Sequence, residues 1–354
     1  MQDMRTPGTA PAEALGPVPP RPAPHDRLAA ALAPELDAVG RLLRERMASE
    51  AAPRIPAMAA HLVEAGGKRL RPMLVLAAAR MLGGEEGGAR DEVRDGAVRL
   101  AATVEFIHTA TLLHDDVVDA STQRRGRPTA NLLWDNQSSV LVGDFLFARS
   151  FELMVEVGSL PVLGILARAS ATIAEGEVLQ LMAARDLQTT ADTYLRIARG
   201  KTAALFAAAT EAGAVVAGAD GAARAAMREY GDALGVAFQI ADDLLDLEGT
   251  AAIGKNRGDD LREGRLTLPV IRALERADEG ERAFWTRAVG RGEAEEGDVE
   301  QAVAIIHRHG ALGAARAEAE GWAARARDAL GALPPHPIRD ALMDLADFVV
   351  ARGA

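Results

Sequence analysis

The sequence predicts an all-α protein on three observations. The 354 residues are rich in Ala and Leu, and aromatic residues make up only 4%. Ala and Leu are strong helix formers, whereas strands favour the aromatic and β-branched residues that are scarce here. Apolar residues recur at helical spacing in one segment after another, and no alternating apolar–polar run with hairpin signals interrupts them. The length allows a large buried core, as one big domain or two.

Residues 1–26 are rich in Pro and Ala and lack the long apolar core of a signal peptide. Asp3, Arg5 and Glu13 mix charges in a way that disfavours a transit peptide, so a disordered tail is expected. Residues 27–354 read as helices. Leu32, Leu36, Val39, Leu42 and Leu43 form a stripe over 28–48. A loop carrying Gly66 and Gly67 leads to Pro72 and an apolar helix over 73–82. Residues 83–88 form a Gly/Glu loop, and 91–119 read as one long helix. A polar, basic turn spans 121–128, with helices over 143–157 and 161–182. Thr190 before Asp192 suggests an N-cap for a helix over 194–217. Further helices are expected over 221–247 and 267–277, separated by a Gly- and charge-rich loop over 249–264. Two or three more helices complete the chain.

The net charge of −11 argues against a general nucleic-acid binder, which would carry a basic face. The absence of cysteine excludes disulfides and thiolate chemistry and fits a reducing compartment; a cytoplasmic protein is expected. No run of 18 apolar residues suggests a membrane span.

The chemistry concentrates in two copies of one pattern. Asp115-Asp116-Val117-Val118-Asp119 and Asp242-Asp243-Leu244-Leu245-Asp246 are both DDxxD within apolar, helical runs. Residues four apart share a helix face, so Asp115 points with Asp119 and Asp242 with Asp246. Like charges at that spacing destabilise a helix and call for compensation. A hard divalent cation with oxygen ligands, Mg2+ first, would supply it. Cations cluster nearby. Gly66-Gly67-Lys68-Arg69-Leu70-Arg71-Pro72 joins a freed backbone to three positive side chains at a helix start, a ready anion site. His108 lies two turns before Asp115 on nearly the same face. Arg124 and Arg125 follow the first triad, with guanidinium forks that match phosphate oxygens. Lys201 and Thr202 lie in an apolar helix, and Gln239 precedes the second triad on its own face. Lys255 and Arg257 follow in the Gly-rich loop. Six aspartates with basic residues from four segments suit a metal–diphosphate ligand. No phosphate-binding GxxxxGK[ST] loop, HExxH zinc motif or GxSxG elbow is present.

Over roughly residues 27–354 the chain resembles the trans-isoprenyl diphosphate synthases of the polyprenyl synthetase family. The resemblance rests on the 66–72 loop, on Glu105-Phe106-Ile107-His108 leading into the first DDxxD, and on Gly176-Glu177-Val178-Leu179-Gln180. Lys201-Thr202 and Phe238-Gln239-Ile240 before the second DDxxD complete it. It implies an isoprenoid synthase fold, with helices around a deep central catalytic cavity and the two triads facing each other at its mouth. By motif position Lys68, Arg71, His108 and Arg125 would hold isopentenyl diphosphate. Asp115, Asp119 and Asp242 would ligate Mg2+, with Asp116, Asp243 and Asp246 ligating or just behind. Arg124, Lys201, Thr202, Gln239 and Lys255 would hold the allylic prenyl diphosphate. Where the family often has lysine, Arg265 keeps the charge but not the point ammonium.

The implied reaction ionises the allylic diphosphate, and the double bond of isopentenyl diphosphate attacks the resulting cation. A proton then leaves and the longer product can re-enter. In this family bulky aromatics four or five positions before the first triad close the cavity. Here those positions are Thr111 and Ala110, both small. The expected product is therefore long, about seven to ten isoprene units (C35–C50), of the kind used as quinone side chains. A homodimer is implied by the resemblance alone. The alternatives are a short-chain farnesyl or geranylgeranyl diphosphate synthase, opposed by Ala110 and Thr111, and a catalytically silent partner subunit, opposed by the intact motifs. A terpene cyclase would not need Lys68, Arg71 and His108.

Overall fold

The computed structural model describes residues 22–63, 67–83, 89–124, 126–249 and 257–351. The expected first helix is two: α1 (Pro24–Ala31) and α2 (Ala33–Met47). Leu32 separates them with non-helical backbone, and Pro34 starts α2, as its fixed φ favours. α3 (Arg54–Val63) was not anticipated. α4 (Leu70–Leu82) follows Arg69, which adopts the left-handed region at φ 44°. α5 (Ala89–Val118) runs 30 residues, about 45 Å at helical rise, and ends inside the first triad.

The basic turn is a small antiparallel hairpin, β1 (Gln123–Arg124) with β2 (Arg127–Pro128), followed by the short α6 (Ala130–Leu133). α7 (Asn136–Val157) starts seven residues earlier than expected, because the Asp135 side chain accepts from the Ser138 amide (2.6 Å) and caps it. Ser159 caps α8 (Leu160–Ala183) and Thr190 caps α9 (Ala191–Ala198). α9 passes through a π-helical segment, Arg199–Ala203, into α10 (Ala204–Val216). Asp220 caps α11 (Gly221–Glu248). The expected loop contains α12 (Asp259–Arg262). α13 (Leu268–Leu274) is the expected helix after it. Four follow among the described residues: α14 (Glu279–Trp285), α15 (Asp298–Arg308), α16 (Ala311–Gly331) and α17 (Pro337–Ala351).

The architecture is thus all-α, apart from the hairpin. α5 packs against α4, α7 and α10, and α11 against α10 and α16. Leu100, Val104, Phe106, Ile107 and Leu113 of α5 are fully buried, and each contributes about 1.5–3 kcal/mol by leaving water. This apolar girdle holds the C-terminal end of α5, with its carboxylates, against the neighbouring helices. No helix among the described residues is long and apolar enough to cross a membrane.

Candidate active site

The first triad divides by helix geometry. Asp115 and Asp119 share a face, and both are largely but not wholly shielded. Lys201 lies 4.0 Å from Asp115 and donates to Glu177 at 2.8 Å. Burial pushes the Asp115 carboxyl up to about 7; Glu177 and Asp119 add to the rise, and Lys201 opposes it. Asp119 accepts from Arg265 (2.5 Å), which also reaches Glu263 and Asp260. Burial works against the charge on Arg265, but these three acids outweigh it and raise its pKa. Arg265 therefore ties the first triad to the segment after the second. Asp116 points the other way and is fully buried. It accepts from Arg124 Nε (2.7 Å), and its other oxygen has no hydrogen-bond partner among the described residues.

The second triad divides differently. Asp242 is exposed, while Asp243 and Asp246 are buried. Asp243 accepts from the Tyr194 hydroxyl (2.5 Å) and from the Gln239 amide (2.8 Å). Gln239 in turn accepts from Thr202 (2.6 Å). Burial drives the Asp243 carboxyl well up, and nearby Asp260 adds to this. Asp246 accepts from the backbone N–H of Asp259 (3.2 Å) and anchors the start of α12.

Lys201 is placed by the π-helical segment, an irregularity common at functional positions. There α8 crosses α9–α10 with glycine on both sides. A Cβ on Gly176 would fall 2.6 Å from the Lys201 amide nitrogen. Only this close approach brings Lys201 to Glu177 and Asp115. Gln180, Tyr194, Lys201, Gln239, Asp243 and Arg265 line a common cavity.

A second basic set lies alongside, between α4 and α5. Arg71 donates to His108 Nε2 (3.1 Å) and rests over the Phe206 ring at 4.7 Å. Lys68 lies over the Phe348 ring at 5.4 Å, so α17 reaches this site too. Thr111 is half-buried, its hydroxyl donating to the His108 carbonyl (2.8 Å), and Ala110 is buried. Arg125 and Lys255 lie outside the described residues.

The residues fit a divalent cation. The donors are hard oxygens, and burial, with Glu177 and Asp119 nearby, forces the Asp115 carboxyl upward despite Lys201 and Arg124. No three carboxylates among the described residues converge into a metal site by themselves. Sequence reasoning missed Tyr194 and Phe348, and gave Glu177 no role of its own. Their contacts come from distant helices, and no local pattern marks Tyr194 or Phe348.

The polyprenyl synthetase family profile matches residues 52–306. An octaprenyl diphosphate synthase from Haemophilus influenzae is 41% identical, over 90% of this chain and 94% of that protein. A decaprenyl diphosphate synthase structure from Rhodobacter capsulatus is 62% identical, with a TM-score of 0.88 over 93% of this chain and 99% of that one. A polyprenyl synthase from Caulobacter crescentus CB15, complexed with calcium and isoprenyl diphosphate, is 52% identical. Its TM-score is 0.88, over 95% of this chain and 100% of that one.

Proposed function

The chain belongs to the polyprenyl synthetase family, and we propose that it is a long-chain all-trans polyprenyl diphosphate synthase. It adds isopentenyl diphosphate repeatedly to an allylic prenyl diphosphate, to about C35–C50, for quinone side chains. The carrying observation is that Lys201 and Arg265, which line a cavity with Gln239 and Asp243 of α11, also meet Asp115 and Asp119; small Ala110 and Thr111 lie about one turn before Asp115 in α5. The octaprenyl and decaprenyl relatives support the same length class.

Asp115, Asp119 and Asp242 would hold Mg2+, which supplies positive charge to the departing diphosphate. Lys201 and Arg124, with Thr202, Gln239 and Lys255 beside them, orient the allylic diphosphate and stabilise charge developing on it. Lys68, Arg71, His108 and Arg125 hold isopentenyl diphosphate so that its double bond lies against the allylic carbon. The C–O bond breaks, the double bond attacks, and the proton passes to the released diphosphate. Apolar walls exclude the water that would trap the cation. Asp116 and Asp246 act from behind, and Asp243 from the cavity wall, through the partners described above.

We read residues 27–354 as one catalytic domain acting in the cytoplasm as a homodimer. Leu132, Leu141, Phe151, Val155 and Leu160 leave an exposed apolar face across α6, α7 and α8, which a second copy would cover. Incubation with Mg2+, isopentenyl diphosphate and farnesyl diphosphate, followed by mass analysis, tests the activity. Products of about seven to ten units are expected. Arrest at about four units would leave the reaction but remove the length class.

A further inference from the structure

Tyr194 belongs to no motif, yet it sits in the wall of the site. The chain has two tyrosines, both buried, and they differ in purpose. Tyr230 donates to the Leu342 carbonyl (2.8 Å), an ordinary core hydrogen bond between α11 and α17. Tyr194 donates to Asp243, a member of the second triad (2.5 Å). It also lines the cavity with Gln180, Lys201, Gln239 and Arg265.

The second oxygen of Asp243 accepts from Gln239, and Gln239 accepts from Thr202. Tyr194 and Thr202 stand eight residues apart on one continuous stretch, α9 and its π-helical extension. Gln239 and Asp243 stand one turn apart on α11. The stretch carrying Lys201 is therefore joined to α11 at two points, and Lys201 lies between them in sequence. Asp242, next to Asp243, is held by the same helix turn. Buried, fully paired side-chain networks of this kind set geometry more than they add net stability.

We infer that Tyr194 is a positioning residue for diphosphate binding: through Asp243 it fixes Asp242 relative to Lys201. Asp243 and Gln239 are the links of this clamp. The inference rests on the proposed reading of the site as a metal–diphosphate centre and adds a residue to it. It does not depend on product length.

The test compares wild type, Tyr194→Phe, Asp243→Asn and the double variant. Calorimetric titration with inorganic diphosphate in Mg2+ reads binding without turnover, and steady-state assays read the two substrate constants separately. Tyr194→Phe should weaken Mg2+–diphosphate binding about tenfold, as loss of one hydrogen bond to a carboxylate would. It should raise the KM for farnesyl diphosphate similarly and leave that for isopentenyl diphosphate within about twofold. The double variant should bind little worse than Asp243→Asn, because both act through one link. Unchanged binding in Tyr194→Phe would overturn the inference. So would additive losses, or a loss common to both substrates that follows a lowered melting temperature. Wild type that binds Mg2+–diphosphate but elongates nothing would remove the synthase reading alone, since the titration still judges Tyr194.

Discussion

The two aspartate triads share a spacing and differ in how the protein surrounds them. In each, the central aspartate is buried. Asp116 meets a cation, Arg124, whereas Asp243 meets the neutral donors Tyr194 and Gln239. The outer pairs differ as well. Asp115 and Asp119 are both largely shielded and each has a basic neighbour, while Asp242 is exposed and Asp246 is tied to the α12 backbone. Identical residue patterns thus carry unequal roles. The first triad sets two carboxylates beside Lys201 and Arg265, whereas in the second Asp243 joins Tyr194 and Gln239 in the cavity wall, Asp246 holds the backbone and Asp242 faces outward.

The largest expected effect separates presented from anchoring carboxylates. Asp115→Asn should lower kcat by about 10²–10³-fold, the scale for losing one preorganised electrostatic group. Its melting temperature should not fall, because the carboxylate is a burden to the metal-free fold. Steady-state elongation and thermal melting of the same preparation check both halves. A large melting loss would put Asp115 among the anchors and erase the contrast.

Arg124→Ala tests the opposite member. It leaves Asp116 buried with its charge uncompensated, and breaking such a pair costs about 3 kcal/mol or more for a fully buried case. Arg124 is itself partly exposed, so a value somewhat below that is expected. Denaturant unfolding measures it. Adding Asp116→Asn should restore part of the stability, because the isosteric amide carries no charge. Failure of that rescue would mean that Arg124 acts apart from Asp116.

Much of this was legible in the chain. The helical spacing around Asp115 and Asp242, the cap at Thr190 and the Gly-Lys-Arg loop are local patterns, and local physics reads them. Positions one apart on a helix face different ways, which already hints that Asp116 and Asp115 part company. What each then meets was not legible. Tyr194 and Asp243 are 49 residues apart and meet only through the packing of α9 on α11. The break at Leu32, the early start of α7 at Asp135 and the π-helical segment at Lys201 also escaped. A capping aspartate or a helical irregularity is recognised by backbone geometry, and apolar periodicity runs straight across it.

A third, milder prediction concerns the helical turn before the first triad. Thr111→Phe should shorten the product by several isoprene units while turnover continues, as sized by mass after dephosphorylation. Thr111 is the cleaner site because it is only half-buried. Ala110 is close-packed, and a phenylalanine there would strain the core by about 1–3 kcal/mol. Unaltered product length in Thr111→Phe would place the stopping point elsewhere in the protein.

The smallest effect is a pH slope in the metal-free protein. Asp115 has a folded pKa of about 7, against about 3.9 for an unfolded aspartate. Between those values the folded state binds the extra proton. Raising the pH through that window therefore favours the unfolded state, and stability falls from about pH 4 to about pH 7 before this contribution levels off. For a chain of this size each kcal/mol moves the melting temperature by about 2 °C or less, so a decline of a few degrees is expected. Asp115→Asn should flatten the slope. A slope that survives Asp115→Asn would assign the proton to another buried acid, with Asp243 the next to replace.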